Sequence, residues 1–267
     1  MLKDITIGQY FPGDTFIHRM DPRMKILLTL FYIVVLFVAR GILSYVLILV
    51  WLATAVYISG IKPSIILKGV KPLIFVIALT GILNMFYTPG RILVEFWIFR
   101  ITYEGVYTAF FMVIRIIMLI TGTFLLTYTT SPILLTDGVE RLMSPLKKVR
   151  VPVHELAMMM TIALRFIPTL IEEADKIMSA QKARGADFET GSIFRRAKAL
   201  IPLLVPLFIS AFRRADELAT AMECRCYRGG EGRTRLRQLR YGDNDLYALL
   251  FSVPLFGGVI ALRVLGL

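Results

Sequence analysis

Apolar and polar positions divide this chain into blocks. Apolar residues fill positions 24–39, Arg40-Gly41 interrupts them, and they resume over 42–59. Further apolar blocks cover 73–87, 105–130 and 246–265. A helix needs ~17–25 residues to cross a bilayer, so the pattern predicts about five spanning helices. The first two form a hairpin through their short connection. Asp21-Pro22 supplies an N-cap followed by proline at the first helical position. Lys62, Lys68 and Lys71 punctuate the turn before the third span, where Pro63 and Pro72 open helices. Asn84 reads as a helix-end group, and 89–104 as a mixed loop carrying Arg91, Glu95, Arg100 and Glu104. Arg115 sits well inside the fourth span, where a cation costs roughly 2.5–3.5 kcal/mol unless paired or snorkelled. The economical reading turns it into the bundle, bonded to helix-end carbonyls or a carboxylate. Pro254 and Gly257-Gly258 predict an irregular last span.

From Ser131 the pattern changes to amphipathic. Ser131-Pro132 and Ser144-Pro145 are caps and helix starts, with a short helix over 134–143. Residues 153–184 and 193–225 read as long helices, kinked at Pro168 and at Pro202 and Pro206. On the second, Leu204, Phe208, Ala211, Ala215, Leu218 and Met222 recur at steps of four and three, an apolar stripe on a charged helix. Each would run on the order of 45–50 Å if straight. Gly229-Gly230 and Gly232 end this region, and Arg233, Arg235, Arg237 and Arg240 form a basic tract that reads as a solvated anchor. The chain therefore divides into an N-terminal arm with four spans (1–130), a coupling region of surface helices (131–240) and a C-terminal span (241–267). The fold class is all-α: a polytopic membrane protein with an amphipathic cytoplasmic region.

Composition sharpens this picture. Of 267 residues 57% are hydrophobic and only 19% charged, with the charge gathered in the second half. The net charge of +12 invites nucleic acid as a partner. Aromatics are sparse among the basic residues and no nucleic-acid motif occurs, so lipid is the simpler counter-charge. The basic residues around Arg19–Lys25, 62–71 and beyond Thr130 place the N-terminus and the coupling region in the cytoplasm of a cell-membrane protein. Residues 1–25 are polar and lack the apolar core of a signal peptide. His18 in this arm reads as a hydrogen-bonding surface residue. Cys224 and Cys226 are two apart on a helix with no histidine near, which suits reduced thiols rather than a disulfide or zinc site.

No GxxxxGK[ST], HExxH or GxSxG pattern and no paired-cysteine metal motif occurs, and His154-Glu155 is only a dipeptide. No cofactor site is expected in this chain. The distinctive feature is a duplication: residues 172–185, shifted by 41, lie on 213–226. Ala174-Asp175 meets Ala215-Asp216, Ile177 meets Leu218, and Ala183-Arg184-Gly185 meets Cys224-Arg225-Cys226. One arginine at a helix end can simply complement the negative end of its own helix, for about 0.3–1 kcal/mol. Two long helices sharing a pattern and the same ending suggest two equivalent sockets on partner proteins.

The chain resembles the transmembrane T component of energy-coupling factor (ECF) transporters, the EcfT/CbiQ family. The resemblance rests on the arm Gly8…Pro12-Gly13…His18-Arg19-Met20-Asp21-Pro22-Arg23, on Ala163-Leu164-Arg165-Phe166-Ile167-Pro168, on Ala180…Ala183-Arg184-Gly185, and on Ala221-Met222-Glu223…Arg225…Tyr227-Arg228-Gly229. These span nearly the whole chain. The resemblance implies crossed coupling helices whose ends insert into two ABC-type ATPase subunits. Ala183, Arg184, Gly185, Cys224, Arg225 and Cys226 would be the docking residues. It further implies a non-catalytic subunit that links the ATPases, which would bind ATP and Mg, to a membrane protein capturing a vitamin or transition metal. Cys226 departs from the glycine often found there. The competing reading is a stand-alone permease or channel with Arg115 and Asn84 in its path. A membrane-embedded enzyme would need a nucleophile or carboxylate pair that the spans do not offer.

Overall fold

The computed structural model describes residues 10–96, 99–188, 192–230 and 238–265. Gly8, Gly232, Arg233, Arg235 and Arg237, singled out above, lie outside the described residues. Ten α-helices and one hairpin follow in order: α1 (Phe16–Arg19), α2 (Pro22–Val38), α3 (Ile42–Ser59), α4 (Pro63–Val70), α5 (Ile74–Tyr87), β1 (Ile92–Phe96), β2 (Phe99–Thr102), α6 (Tyr103–Thr129), α7 (Pro132–Leu142), α8 (Val153–Ala183), α9 (Ile193–Cys224) and α10 (Asp243–Val264). They form two compact units, Gly8–Val139 with Gln238–Leu267, and Glu140–Arg237.

In the first unit, α2 begins as its sequence predicts. Pro22 occupies the first turn and the Asp21 carboxylate accepts the Arg23 N–H at 2.9 Å. Two expectations need correction. The third apolar span begins at Pro63, not 73, because a 3-10 turn over Lys71–Leu73 joins α4 to α5 into 25 continuous residues. Pro72 sits in the first turn of the 3-10 helix, where its missing N–H costs little. The stretch expected as a mixed loop is an antiparallel hairpin, with Glu95 opposite Arg100. Its β-branched and aromatic residues suit a pleated ribbon. The last span is also more regular than expected: α10 runs unbroken through Pro254 and Gly257-Gly258. Helices α8 and α9 hold Pro168 and Pro202 with Pro206 inside unbroken stretches, as kinked helices do.

Among the described residues five segments are long and apolar enough to cross a membrane: α3, α4–α5, α6, α8 and α10. The number matches expectation but the membership differs. The short α2, 17 residues, is at the lower edge of a spanning length. It nevertheless supplies the centre of the bundle, since Tyr32, Val35 and Leu36 are buried with Tyr45, Ile48 and Leu52 of α3, Met118 of α6, and Phe256 and Val259 of α10. Helix α8 qualifies through its apolar first half. Its second half carries Glu172, Glu173, Asp175 and Lys176.

Tyr32 shows how the bundle closes. Its ring stacks on Trp51 with centroids 5.2 Å apart, and its hydroxyl donates to the Met118 carbonyl at 2.8 Å. The ring can approach α6 this closely because residue 122 is glycine; a Cβ there would fall 2.4 Å from the tyrosine ring. Small residues where helix backbones come together are a common device in membranes. Trp51 in turn donates from its indole N–H to Ser252 Oγ at 3.1 Å, tying α3 to α10.

The end of the bundle beside the arm is a polar knot. Lys25 is buried, and its ammonium donates to the carbonyls of His18 (3.2 Å) and Thr129 (3.0 Å) and to Thr130 Oγ1 (3.2 Å). Asp245 is buried too. Its carboxylate accepts the backbone N–H of Asp21 and of Gly242, both at 2.8 Å, so one side chain caps α10 and fastens α2. Arg23 stacks over the Tyr241 ring, 4.0 Å from its centroid. His18 bonds Thr15 Oγ1 at 2.7 Å and the Phe11 carbonyl at 3.1 Å, the hydrogen-bonding role expected of it. Burial holds its imidazole below the ordinary value of 6.5.

Gly122→Ala is expected to lower stability by about 1–3 kcal/mol, the usual cost of overpacking. Tyr32→Phe should lose only about 0.5–1.5 kcal/mol, the net worth of one hydrogen bond. Thermal unfolding of the purified chain in detergent checks the order; an alanine as stable as wild type would contradict the close approach.

Candidate functional site

Helices α8 and α9 pack together within the second unit, and their contact follows the internal repeat. Glu173 and Arg214, equivalent under the 41-residue shift, form an ion pair at 2.7 Å. Arg214 also donates to Thr169 Oγ1 at 3.0 Å. Leu170 and its equivalent Ala211 line one cavity of about 250 Å³, together with Ile162, Phe166, Leu218 and Met222. Residues that touch their own equivalents mark the axis of a two-fold relation. Residues ahead of Glu173 on α8 share that cavity with residues beyond Arg214 on α9, the sense expected of helices passing one another antiparallel. The two C-terminal ends therefore leave the crossing in opposite directions. Arg184 lies eleven residues beyond Glu173, and Arg225 eleven beyond Arg214, a helical rise of roughly 16 Å in each case.

The expected apolar stripe on α9 is only half right. Ala211, Ala215, Leu218 and Met222 line the crossing, but Leu204 and Phe208 are exposed and Leu203 is buried instead. At ~100° per residue all six fall on one face, so the difference is position along α9: Leu204 and Phe208 lie ahead of the residues that line the crossing.

The two endings match in backbone as well as sequence. At the first, Arg184 is the C-cap, the Ala186 N–H returns to the Gln181 carbonyl and the Gly185 N–H to Lys182, both at 3.0 Å. At the second, Arg225 is the C-cap, the Tyr227 N–H returns to Met222 at 3.0 Å and the Cys226 N–H to Glu223 at 2.8 Å. This bond pair is the Schellman arrangement, which requires a left-handed residue just past the cap. Gly185 supplies it with φ 88°, and Cys226 supplies it with φ 55°. A side chain in that region costs on the order of 1–2 kcal/mol, so Cys226 holds a conformation for which glycine is the natural occupant. Helix α9 thus stops at Cys224, within one residue of the end expected at Arg225.

All six candidate residues, Ala183, Arg184, Gly185, Cys224, Arg225 and Cys226, are exposed, and both cysteines are free thiols. Neither arginine packs back into its own unit. Small neighbours leave each guanidinium accessible from the sides. Among the described residues no three of His, Cys, Asp or Glu gather as a metal site would require. The side chains considered for a transport path are taken up structurally. Arg115 donates to Tyr45 Oη at 2.8 Å and to the Ala39 carbonyl at the end of α2, as the bundle-facing reading requires. Asn84 donates to the Thr80 carbonyl of its own helix at 2.9 Å.

Sequence reasoning missed two features of this unit. The Glu173–Arg214 pair was signalled by opposite charges at equal positions of the repeat. His154 was set aside as part of a dipeptide, yet its Nδ1 lies 3.1 Å from Glu140 Oε1 and its ring lies against Gly230. No spacing rule would have joined residues 140, 154 and 230.

A family model described as cobalt transport protein (CbiQ) matches residues 13–236. Proteins described as energy-coupling factor transporter transmembrane protein EcfT are similar along nearly the full length. The one from Thermosediminibacter oceani is 56% identical over 98% of this chain and 99% of its own. That from Clostridium kluyveri is 55% identical over 96% and 95%, and that from Ruminiclostridium cellulolyticum 52% over 98% and 98%. With the twin helix ends and the membrane-length helices already in place, this likeness means that the chain belongs to the EcfT/CbiQ family, the transmembrane T component of ECF transporters.

Proposed function

We propose that this chain is the non-catalytic coupling subunit of an ECF-type importer, and that Arg184 and Arg225 are its two docking points on a pair of ABC-type ATPase subunits. The observation that carries the reading is the equal reach of the two matched ends from one crossing. A dimer of ATPases presents two equivalent sockets, and two equivalent plugs suit it. ATP and Mg would be bound and used in those partner chains. When the ATPases close, their sockets approach, and helices crossing at a charge-paired, packed point would carry the movement as a rigid pair.

A second partner is suggested by the first half of α9. Leu200, Ile201, Leu204, Val205, Phe208, Ile209 and Phe212 are all exposed. A contiguous apolar patch of this kind marks an interaction surface. We assign it to the membrane protein that captures the nutrient, a vitamin or a transition metal, in a cell-membrane complex with the N-terminus and coupling region on the cytoplasmic side. Of the two residues a stand-alone permease would place in its path, Arg115 bonds a helix-end carbonyl and Asn84 a carbonyl of its own helix.

Charge reversal Arg184→Glu with Arg225→Glu should abolish co-purification of the ATPases, while each single change weakens it; loss of a desolvated charged partner costs about 2–5 kcal/mol. Full assembly and uptake by the double variant would overturn the docking assignment. Gly185→Ala should weaken ATPase binding through the backbone alone, since nothing lies within 4 Å of a Cβ there. Gly185→Asn should be milder, because asparagine tolerates the left-handed region. Phe208→Asp should release the capture subunit and leave both ATPases bound, as read by the subunit ratio of the purified complex.

A further inference from the structure

The end of the bundle away from the arm gathers arginine side chains. Arg115 of α6 donates Nη2 to the Ala39 carbonyl at 3.2 Å, and Arg263 of α10 donates Nη1 to the Val38 carbonyl at 3.2 Å. Two guanidinium groups from different helices thus reach successive carbonyls at one helix end. Arg40 follows immediately in the chain and is exposed. Arg115 is held by Tyr45 Oη and by the rings of Phe37 and Tyr45, whose centroids lie 5.7 and 5.8 Å away.

The spans that carry these arginines offer no carboxylate, and Glu104 at the start of α6 accepts the Arg91 N–H instead. Residues 22–59, 105–129 and 246–265 contain no Asp or Glu at all. Among the described residues none of the three arginines forms an ion pair. The negative end of α2 offers only about half an elementary charge, too little for three guanidinium groups. Guanidinium donors also outnumber acceptors, since three bonds account for all the contacts just named. More donors lie beside them: α3 starts here with Gly41 as N-cap and no capping side chain, and Ser44 Oγ in its first turn is buried with no partner among the described residues. On the orientation proposed above this is the outer end, the side on which membrane proteins carry few arginines.

We propose that Arg40, Arg115 and Arg263 form a binding site for a phosphate-bearing anion. Planar donors match phosphate oxygens in pairs, and this is the commonest use of clustered arginine. The site lies where the apolar spans end, so a phospholipid headgroup is the natural source; a free phosphate has the same chemistry.

The test uses the purified full-length chain in neutral detergent. Its unfolding temperature is followed during titration with short-chain phosphatidylglycerol, short-chain phosphatidylcholine and inorganic phosphate. The comparison is Arg40→Gln with Arg263→Gln, two exposed positions that leave Arg115 and the packing intact. Phosphatidylglycerol should raise the midpoint saturably, with half-saturation at about tenfold higher concentration in the variant, the worth of one charge-assisted contact. An equal effect of phosphatidylcholine, again weakened in the variant, would mean that the phosphodiester suffices. An effect of inorganic phosphate, lost in the same way, would mean a free-anion site. A shift of the same size and midpoint in wild type and variant would overturn the proposal, because other basic surfaces would then account for it. So would the absence of any shift with all three probes.

Discussion

A helix that ends in or near hydrocarbon cannot leave its last carbonyls or first amides to water, and this bundle is organised around that constraint. At one end Lys25 gathers the carbonyls of His18 and Thr129 with the Thr130 hydroxyl, so a single ammonium closes the final turns of α1 and α6. Asp245 does the converse, accepting amides from the starts of α2 and α10. At the other end Arg115 and Arg263 reach the last carbonyls of α2. Lys25 and Asp245 are buried, where an unpartnered charge would be costly. Each is tolerable because it meets backbone groups that would otherwise be bare. The apolar packing around Tyr32, Trp51 and Phe256 fills the space between two fastened ends.

The second unit follows a different logic. Much of the surface of its helices is open. What it specifies is a pair of distances. The ion pair between Glu173 and Arg214 joins equivalent residues directly, and Leu170 and its equivalent Ala211 line the same cavity. Slippage of either helix by a turn would break that pairing and make the two reaches unequal. A half-buried pair of this kind adds little to stability, since desolvation offsets much of its attraction. Its value lies in register, and register sets where the arginine tips stand.

Cys226 illustrates how geometry outranks local preference. The Schellman closure demands a left-handed residue past the cap, and at the first ending glycine meets that demand without strain. At the second, cysteine adopts the same conformation because the returning bonds from Cys226 and Tyr227 hold it there. The departure noticed in the sequence is thus a change of side chain on an unchanged backbone path.

The sequence alone determined the all-α membrane class, most of the apolar segments, the Asp21-Pro22 start, the fate of Arg115 and the doubled ending. These are legible because they depend on local composition, on the period of the helix and on self-similarity along one chain. It misjudged where the third span begins, the hairpin over 92–102 and half of the α9 stripe. A 3-10 turn can carry a helix past Pro72, strand pairing is a contact between segments, and how far along α9 its partner helix reaches is a matter of packing. Only the tertiary structure brought Lys25 to Thr129, Asp245 to Asp21, Arg263 to Val38 and Glu173 to Arg214. Each joins groups far apart in the chain, and the choice among many possible partners is made by packing, which no window of residues contains.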